Sequence, residues 1–409
     1  MLPESSSLSF ATLVNNIDIL QQILLRLPLK SLFLFKSVSK QWFSLISDPY
    51  FVHCYSLQRR LSVRGLFLHK NSFTSNPEFE FIRLTSDDCF SYNTMSALLD
   101  DLSCLRIEQS CNGLLCCRDY KQMSEYRSYT YYIYNPSIKH YKVLPMSNYL
   151  PKDRSFSVAS VGLAFDPIKS PYYQVVRVLR YSGAEGFYQI EIYNSKTSSW
   201  RLSGDVFSKP DDLTFYKSGV YWNGLLHWIS SSTEYLGCFD VGGEVLKKIS
   251  VPPMISGKGR GKRKVIYFGE YKGHLHLIFE YDITSTPCFD ILEMDTDYKC
   301  WNIKYHVNLE ALASAYPEKR DSDSDEDIVD DDGEEPDGLP YCFSILLVRD
   351  GVEEESPNLI IHVPEKVICY DLKDTSFEEI QDISPSFLGG LQYQWFNAYQ
   401  YIESLASVS

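Results

Sequence analysis

The chain is 409 residues long, 44% hydrophobic and 14% aromatic, a composition that excludes wholesale disorder and leaves room for one small and one large domain. Its formal charge of −14 is concentrated in Asp321 to Asp337, which holds eleven acidic and no basic residues. The remainder is near neutral, so a global basic field for nucleic acid is excluded. Eleven cysteines without regular spacing, no apolar run of bilayer length and no basic-then-apolar N-terminus lead to the expectation of a soluble chain with reduced thiols, in cytoplasm, nucleus or both.

In chain order, residues 1–14 read as a disordered N-terminus and residues 15–60 as a helical unit. Leu20, Ile23, Leu24 and Leu27 follow an i, i+3, i+4, i+7 spacing, the stripe of a short amphipathic helix that Pro28 ends. A second stripe runs through Leu32, Phe35, Val38, Trp42, Leu45 and Ile46, with Lys30, Lys36 and Lys40 expected toward water, until Asp48-Pro49 stops it. Two or three helices in so few residues have a marginal core, so part of this apolar face is expected to serve a partner. The competing reading is an internal seam against the next domain.

These same residues carry a resemblance. Asp18-Ile-Leu, Gln22-Ile-Leu, Arg26-Leu-Pro, Lys30-Ser-Leu, Val38, Lys40, Trp42, Leu45-Ile46 and the closing Asp48-Pro49-Tyr50-Phe51 resemble the F-box of plant F-box proteins. The pattern departs at Asn15-Asn16, where that family usually has Leu-Pro, and at Gln22, usually Glu. The resemblance implies docking on the Skp-type adaptor of a cullin-RING ubiquitin ligase. It assigns the adaptor contacts to Leu20, Ile23, Leu24, Leu27, Pro28, Leu32 and Trp42.

From about Arg64 the texture changes to short strands separated by turns, beginning with Arg64-Gly-Leu-Phe-Leu-His and Phe79-Glu-Phe-Ile-Arg-Leu. A repeat then emerges: a large apolar residue, then Asn or Asp, then another large apolar residue six positions on. Its copies are Tyr134-Asn135 with Tyr141, Tyr193-Asn194 with Trp200, Phe239-Asp240 with Leu246, Met294-Asp295 with Trp301, and Tyr370-Asp371 with Phe377. Asn or Asp folds its side chain onto the backbone two residues on and opens a turn, while the flanking large residues pack across the strands. Ahead of most copies stands a second strand pair with its own Gly turn, at Asn112-Gly113, Asn223-Gly224 and Lys272-Gly273.

About four strands per copy at intervals of 59, 46, 55 and 76 residues is the arithmetic of propeller blades. The fold expected for 61–409 is therefore a β-propeller following the small helical domain, six blades being favoured. The sixth blade would combine Arg64 to Leu84 with the C-terminal Tyr399-Gln-Tyr-Ile-Glu-Ser-Leu. The longest interval contains the acidic run, read as a disordered insertion at about 314–340. The units resemble kelch repeats, and their order after an F-box is similar to the F-box-associated interaction domain of plants.

Several motifs reduce to plain readings. His274 and His276 share one strand face without a third ligand, so a satisfied pair outweighs a metal site. Asp321-x-Asp323-x-Asp325 lacks the Gly that a calcium loop needs at its sixth position. Gly257 to Lys262 has the wrong spacing for a phosphate loop. Lys258 to Lys264 reads as a solvated Gly-rich loop in preference to a nuclear-import signal or a contact for an acidic partner, and Ser322 and Ser324 match an acidophilic kinase pattern that any acidic linker produces. No nucleophile elbow appears, and the carboxylates outside the insertion show no pairing that would mark acid-base catalysis, so no cofactor, no metal and no catalysis by this chain are expected.

The resemblance thus implies a non-catalytic substrate-recognition subunit of an SCF-type ubiquitin ligase, joining the adaptor to an unknown protein substrate without membrane or nucleic acid. The alternatives are a propeller scaffold or sugar-binding module outside any ligase and, further off, a propeller hydrolase. Substrate contacts are expected in inter-strand loops at one rim, at residues the sequence does not name.

Overall fold

In the computed structural model the Asn/Asp repeat occupies one structural position throughout: the turn between the third and fourth strands of five four-stranded antiparallel sheets. The structure describes residues 17–58, 62–70, 78–85, 105–119, 129–149, 156–181, 187–208, 215, 219–230, 234–251, 263–281, 287–317, 343–350, 357–383, 391 and 393–408.

Among the described residues four helices come first: α1 (Ile17–Leu25), α2 (Leu29–Lys36), α3 (Lys40–Ser47) and α4 (Pro49–Gln58). A three-stranded sheet of order β2-β1-β23 combines β1 (Val63–Lys70), β2 (Glu78–Arg83) and β23 (Ala398–Ile402). Then follow β3 (Leu105–Cys111), β4 (Leu114–Asp119), β5 (Tyr131–Asn135) and β6 (His140–Val143). The next sheet is β7 (Phe156–Ala164), β8 (Gln174–Tyr181), β9 (Phe187–Asn194) and β10 (Ser199–Ser208). After it come β11 (Val220–Trp222), β12 (Leu225–Ile229), β13 (Tyr235–Asp240) and β14 (Val245–Ser250). The fifth sheet is β15 (Arg263–Tyr271), β16 (His274–Tyr281), β17 (Cys288–Met294) and β18 (Trp301–Asn308), after which α5 (Glu310–Ala315) intervenes. The last is β19 (Ser344–Asp350), β20 (Pro357–Val363), β21 (Lys366–Asp371) and β22 (Phe377–Asp382). The fold is thus a helical N-terminal region followed by a six-bladed β-propeller, with the C-terminal strand in the first blade.

The hairpin chemistry read from the sequence is present atom by atom in four of the five copies. Asn135 Oδ1 accepts from Ser137 N at 2.9 Å, Asn194 Oδ1 from Lys196 N at 2.9 Å, and Asp371 Oδ1 from Lys373 N at 2.7 Å. Asp240 Oδ1 accepts from the amides of Gly242 and Gly243. Asp295 differs: its carboxylate takes Cys300 Sγ and Asn302 Nδ2 instead. Cross-strand partners follow the repeat, Tyr134 facing Tyr141, Phe239 facing Leu246, Met294 facing Trp301 and Tyr370 facing Phe377. Tyr193 and Trp200 rings lie 5.4 Å apart. The turns at Asn112-Gly113, Asn223-Gly224 and Lys272-Gly273 have positive φ at both positions, the geometry that matches the twist of the strands they join.

The first strand of four blades carries an extra residue, at 107–109, 158–160, 265–267 and 345–347, a bulge that sharpens the local twist. Two compact units result, Met1–Gly65 with Thr85–Phe207 and Gln400–Ser409, and Leu66–Leu84 with Ser208–Tyr399. In the second unit, α5 seats Leu312 in a core with Ile291, Ile345, Leu359 and Tyr370. Ser314 to Pro317, which the sequence reading put into the acidic insertion, are therefore ordered, and Tyr316 Oη donates to Glu379 at 2.7 Å. The rest of that insertion, with Ser322, Ser324 and the calcium-like Asp321 to Asp325, lies outside the described residues, as do residues 1–14 and most of the basic run at 258–264.

Candidate functional site

The helical unit is built around a closed core. Leu20, Leu24 and Leu25 of α1, Leu29 and Leu32 of α2, Ile46 of α3 and Phe51 and Tyr55 of α4 are all buried there, together with Leu405 from the C-terminal tail. Local chemistry fixes each bend. Pro28 cannot donate and starts α2, with Ser31 N and Leu32 N bonding back to its carbonyl. The stripe read as continuous from Leu32 to Ile46 is broken at Ser37 to Ser39, because Ser37 Oγ donates to Leu34 O at 2.6 Å and the Ser39 side chain caps α3 through Trp42 N. Asp48 both ends α3 and caps α4, accepting from Tyr50 N at 2.9 Å, with Pro49 at the first helical position. Tyr55 Oη donates to Leu27 O, tying α4 to the α1–α2 turn.

The residues assigned to adaptor binding fall into two groups. Leu20, Leu24 and Leu32 are inside the core, exposed by 4% or less, whereas Ile23 is 49% exposed and Pro28 is also open to solvent. Leu27 and Trp42 are half-buried at the edge of the core, Trp42 meeting Phe35 edge to face with ring centroids 5.1 Å apart. Large side chains outside the stripes point outward with Ile23: Ile17, Ile19, Leu34, Phe43 and Tyr50 are all exposed, and so is Val38, which the spacing places on the second stripe. Leu34 and Phe43 escaped the sequence reading because neither falls on a periodic position; being large, apolar and off the stripe was their available signal. Lys36, expected in water, is half-buried with its ammonium 5.9 Å from the Phe43 ring centroid, and burial lowers its pKa. This surface offers apolar anchors on a preformed scaffold.

Elsewhere the candidate sites acquire partners. His276 is buried, with Nε2 3.2 Å from Glu293 Oε2 and Nδ1 3.2 Å from His274 O, and His274 Nδ1 lies 3.2 Å from Met294 O. Both rings thus bond within their sheet, His276 through both nitrogens and His274 through Nδ1. Burial drives the His276 pKa down, the Glu293 carboxylate opposing it. Among the described residues no group of three or more His, Cys, Asp or Glu could hold a metal ion, and no helix is long and apolar enough to cross a membrane. Where β3 begins and β4 ends, Glu108 is shared by Arg106 and Arg118, and the Arg118 guanidinium lies 4.4 Å over the Tyr129 ring. Most of the loops expected to meet a substrate lie outside the described residues.

Comparison with known proteins agrees with this architecture. Residues 16–54 match the F-box domain and residues 64–320 the F-box associated beta propeller domain. The chain is 29% identical to the F-box protein At5g07610 of Arabidopsis thaliana over 98% of this chain and 94% of that one. It is 31% identical to the F-box protein At5g49610 of the same plant over 73% and 80%, and 26% identical to the F-box/kelch-repeat protein At3g23880 over 59% and 66%. With a helical F-box and a six-bladed propeller in this order, the chain belongs to the family of F-box proteins with an F-box-associated β-propeller domain.

Proposed function

We propose that this F-box protein is a substrate receptor of an SCF-type ubiquitin ligase, directing a protein substrate to ubiquitination and proteasomal degradation. The observation that carries the reading is that the F-box core is closed, with Leu405 of the C-terminal tail inside it, and the segment still holds Ile17, Ile23, Leu34, Val38 and Phe43 in solvent. Apolar side chains on a rigid helical scaffold at that density are what a partner-binding face requires. In this reading Ile23, Pro28 and the half-buried Leu27 and Trp42 meet the Skp-type adaptor directly, joined by Leu34 and Phe43. Leu20, Leu24 and Leu32 act from behind, by fixing the helices that present them.

The domain boundaries proposed are an F-box at 15–60 and a propeller at 61–409 with its acidic insertion. The chain supplies proximity and orientation, not a nucleophile: holding a substrate beside a charged ubiquitin-conjugating enzyme raises its effective concentration. The site of action is the cytoplasm, the nucleus or both. Affinity purification with the proteasome inhibited tests this directly. The wild type should bring down a Skp-type adaptor and a substrate, and Ile23→Asp should keep the substrate and lose the adaptor. Undiminished adaptor recovery with Ile23→Asp would refute the assignment.

A further inference from the structure

The C-terminal tail after β23 does not trail into solvent. Leu405 is 5% exposed within the F-box core, and Ala406 and Val408 are buried. The backbone on either side of Leu405 is held by one side chain from the propeller. Asn135, fully buried at the β5–β6 turn, donates from Nδ2 to Ser404 O at 3.1 Å and to Ala406 O at 2.8 Å. Ser404 N donates to Ser137 Oγ at 3.0 Å, and Tyr173 Oη, ahead of β8, donates to Val408 O at 3.0 Å. The approach is close enough that a Cβ on Gly113 would overlap Ser404. Beside it the helical unit meets the β7–β8 connection directly, His53 Nδ1 lying 3.2 Å from Pro167 O.

Asn135 is one of five equivalent turn residues, and three of the others are Asp. Its Oδ1 opens the turn, a task a carboxylate performs equally well at Asp240 and Asp371. Only an amide has the two N–H bonds that reach the two tail carbonyls. A carboxylate there would confront carbonyl oxygens with a buried negative charge and leave them unpaired. Local turn chemistry therefore accepts either residue, and the tail requires Asn.

We propose that Ser404 to Val408 form a strap that fixes the F-box helices against the β3–β6 and β7–β10 blades, and that Asn135 is its positioning residue. The strap lends Leu405 to the F-box core from one side and is gripped by the propeller from the other, so the adaptor-facing helices and these blades move as one body. Its role in ubiquitin transfer rests on the receptor reading above: a receptor working by proximity needs a fixed direction from adaptor to substrate.

Hydrogen exchange on the full-length chain, followed by mass spectrometry, tests the strap without a ligand. In Asn135→Asp the β5–β6 hairpin and β7–β9 should exchange as in the wild type, while the tail and α1–α4 exchange about tenfold faster or more. Asn194→Asp, the same change at a turn that does not hold the tail, should alter neither. Tyr173→Phe should give a smaller rise of the same sign. Leu405→Ser should loosen α1–α4, and Leu405→Met, which conserves volume, should restore them. Wild-type exchange of α1–α4 in both Asn135→Asp and Leu405→Ser, or an equal rise in Asn194→Asp, would overturn the strap. Should Asn135→Asp fail to fold, the Leu405 pair and Tyr173→Phe decide. Adaptor capture by the wild-type sample is read separately: its failure overturns the receptor reading, whereas the exchange data alone judge the strap.

Discussion

The F-box helices and the propeller blades bury their apolar residues by opposite strategies. A blade hairpin is locally self-sufficient: the turn residue bonds its own backbone, and the large residues around it face each other across the two strands. The helical unit is not. Its core closes only with Leu405, and its outer face leaves Ile23, Leu34, Val38 and Phe43 in water. Repetition lets each blade be specified by short-range chemistry, whereas a small helical domain leans on neighbours within the chain and beyond it.

The comparison breaks most completely if the C-terminal segment is removed. Truncation after Gly390 deletes β23, with Tyr399, Tyr401 and Ile402 buried, and also the Leu405 plug. It exposes the edge of β1 and opens the helical core in one step. We expect aggregated protein without a cooperative melt, and a soluble, cooperatively unfolding truncation would contradict it.

A smaller but still large effect should come from acid, and it should act on the propeller. His227 and His362 are buried neutral, burial pushing each down to about 4. Their folded pKa lies below the ordinary imidazole value of about 6.5, so the unfolded chain binds more protons between those limits and stability falls as pH drops through them. Each imidazole costs about 1.4 kcal/mol per pH unit across that window. Denaturant melts at pH 7 and pH 5 followed by propeller tryptophan fluorescence should show the loss, and His227→Gln should flatten it. An unchanged pH slope in that variant would remove His227 as a cause.

Within the F-box, two adjacent residues separate inside from outside. Leu24→Ala leaves a cavity in the helical core and should cost about 2–5 kcal/mol of that unit's stability, measured by exchange of α1–α4. Ile23→Asp, one position earlier, should change stability by about 0.5 kcal/mol or less. It should nevertheless weaken adaptor binding by roughly thirtyfold or more, the scale of a lost hot spot, in a titration with purified adaptor. Equal stability losses in the two would mean that Ile23 belongs to the seam. At the lower end, Lys36→Ala should shift adaptor affinity by less than about threefold, as expected of a side chain at the rim.

What the sequence by itself determined is the part written in short-range code. The five Asn/Asp hairpins, the Asn-Gly and Lys-Gly turns and the helix stop at Pro28 depend on residues within a few positions of one another, and all stand where the spacing puts them. The F-box segment was legible for the same reason, its motif being contiguous. Which side of its stripe faces inward was not. Leu20, Ile23 and Leu24 share one helical period, and only the packing of α4 and Leu405 buries the first and third while leaving Ile23 in solvent. The break at Ser37 to Ser39 was hidden because the apolar spacing continues across it while the hydroxyl caps redirect the chain. The two faces of Asn135 mark the limit most clearly. Its turn was readable from residues two positions away, but its grip on Ala406 joins groups 271 residues apart, and a contact of that span leaves no trace in local pattern because only the closed tertiary structure brings its two ends together.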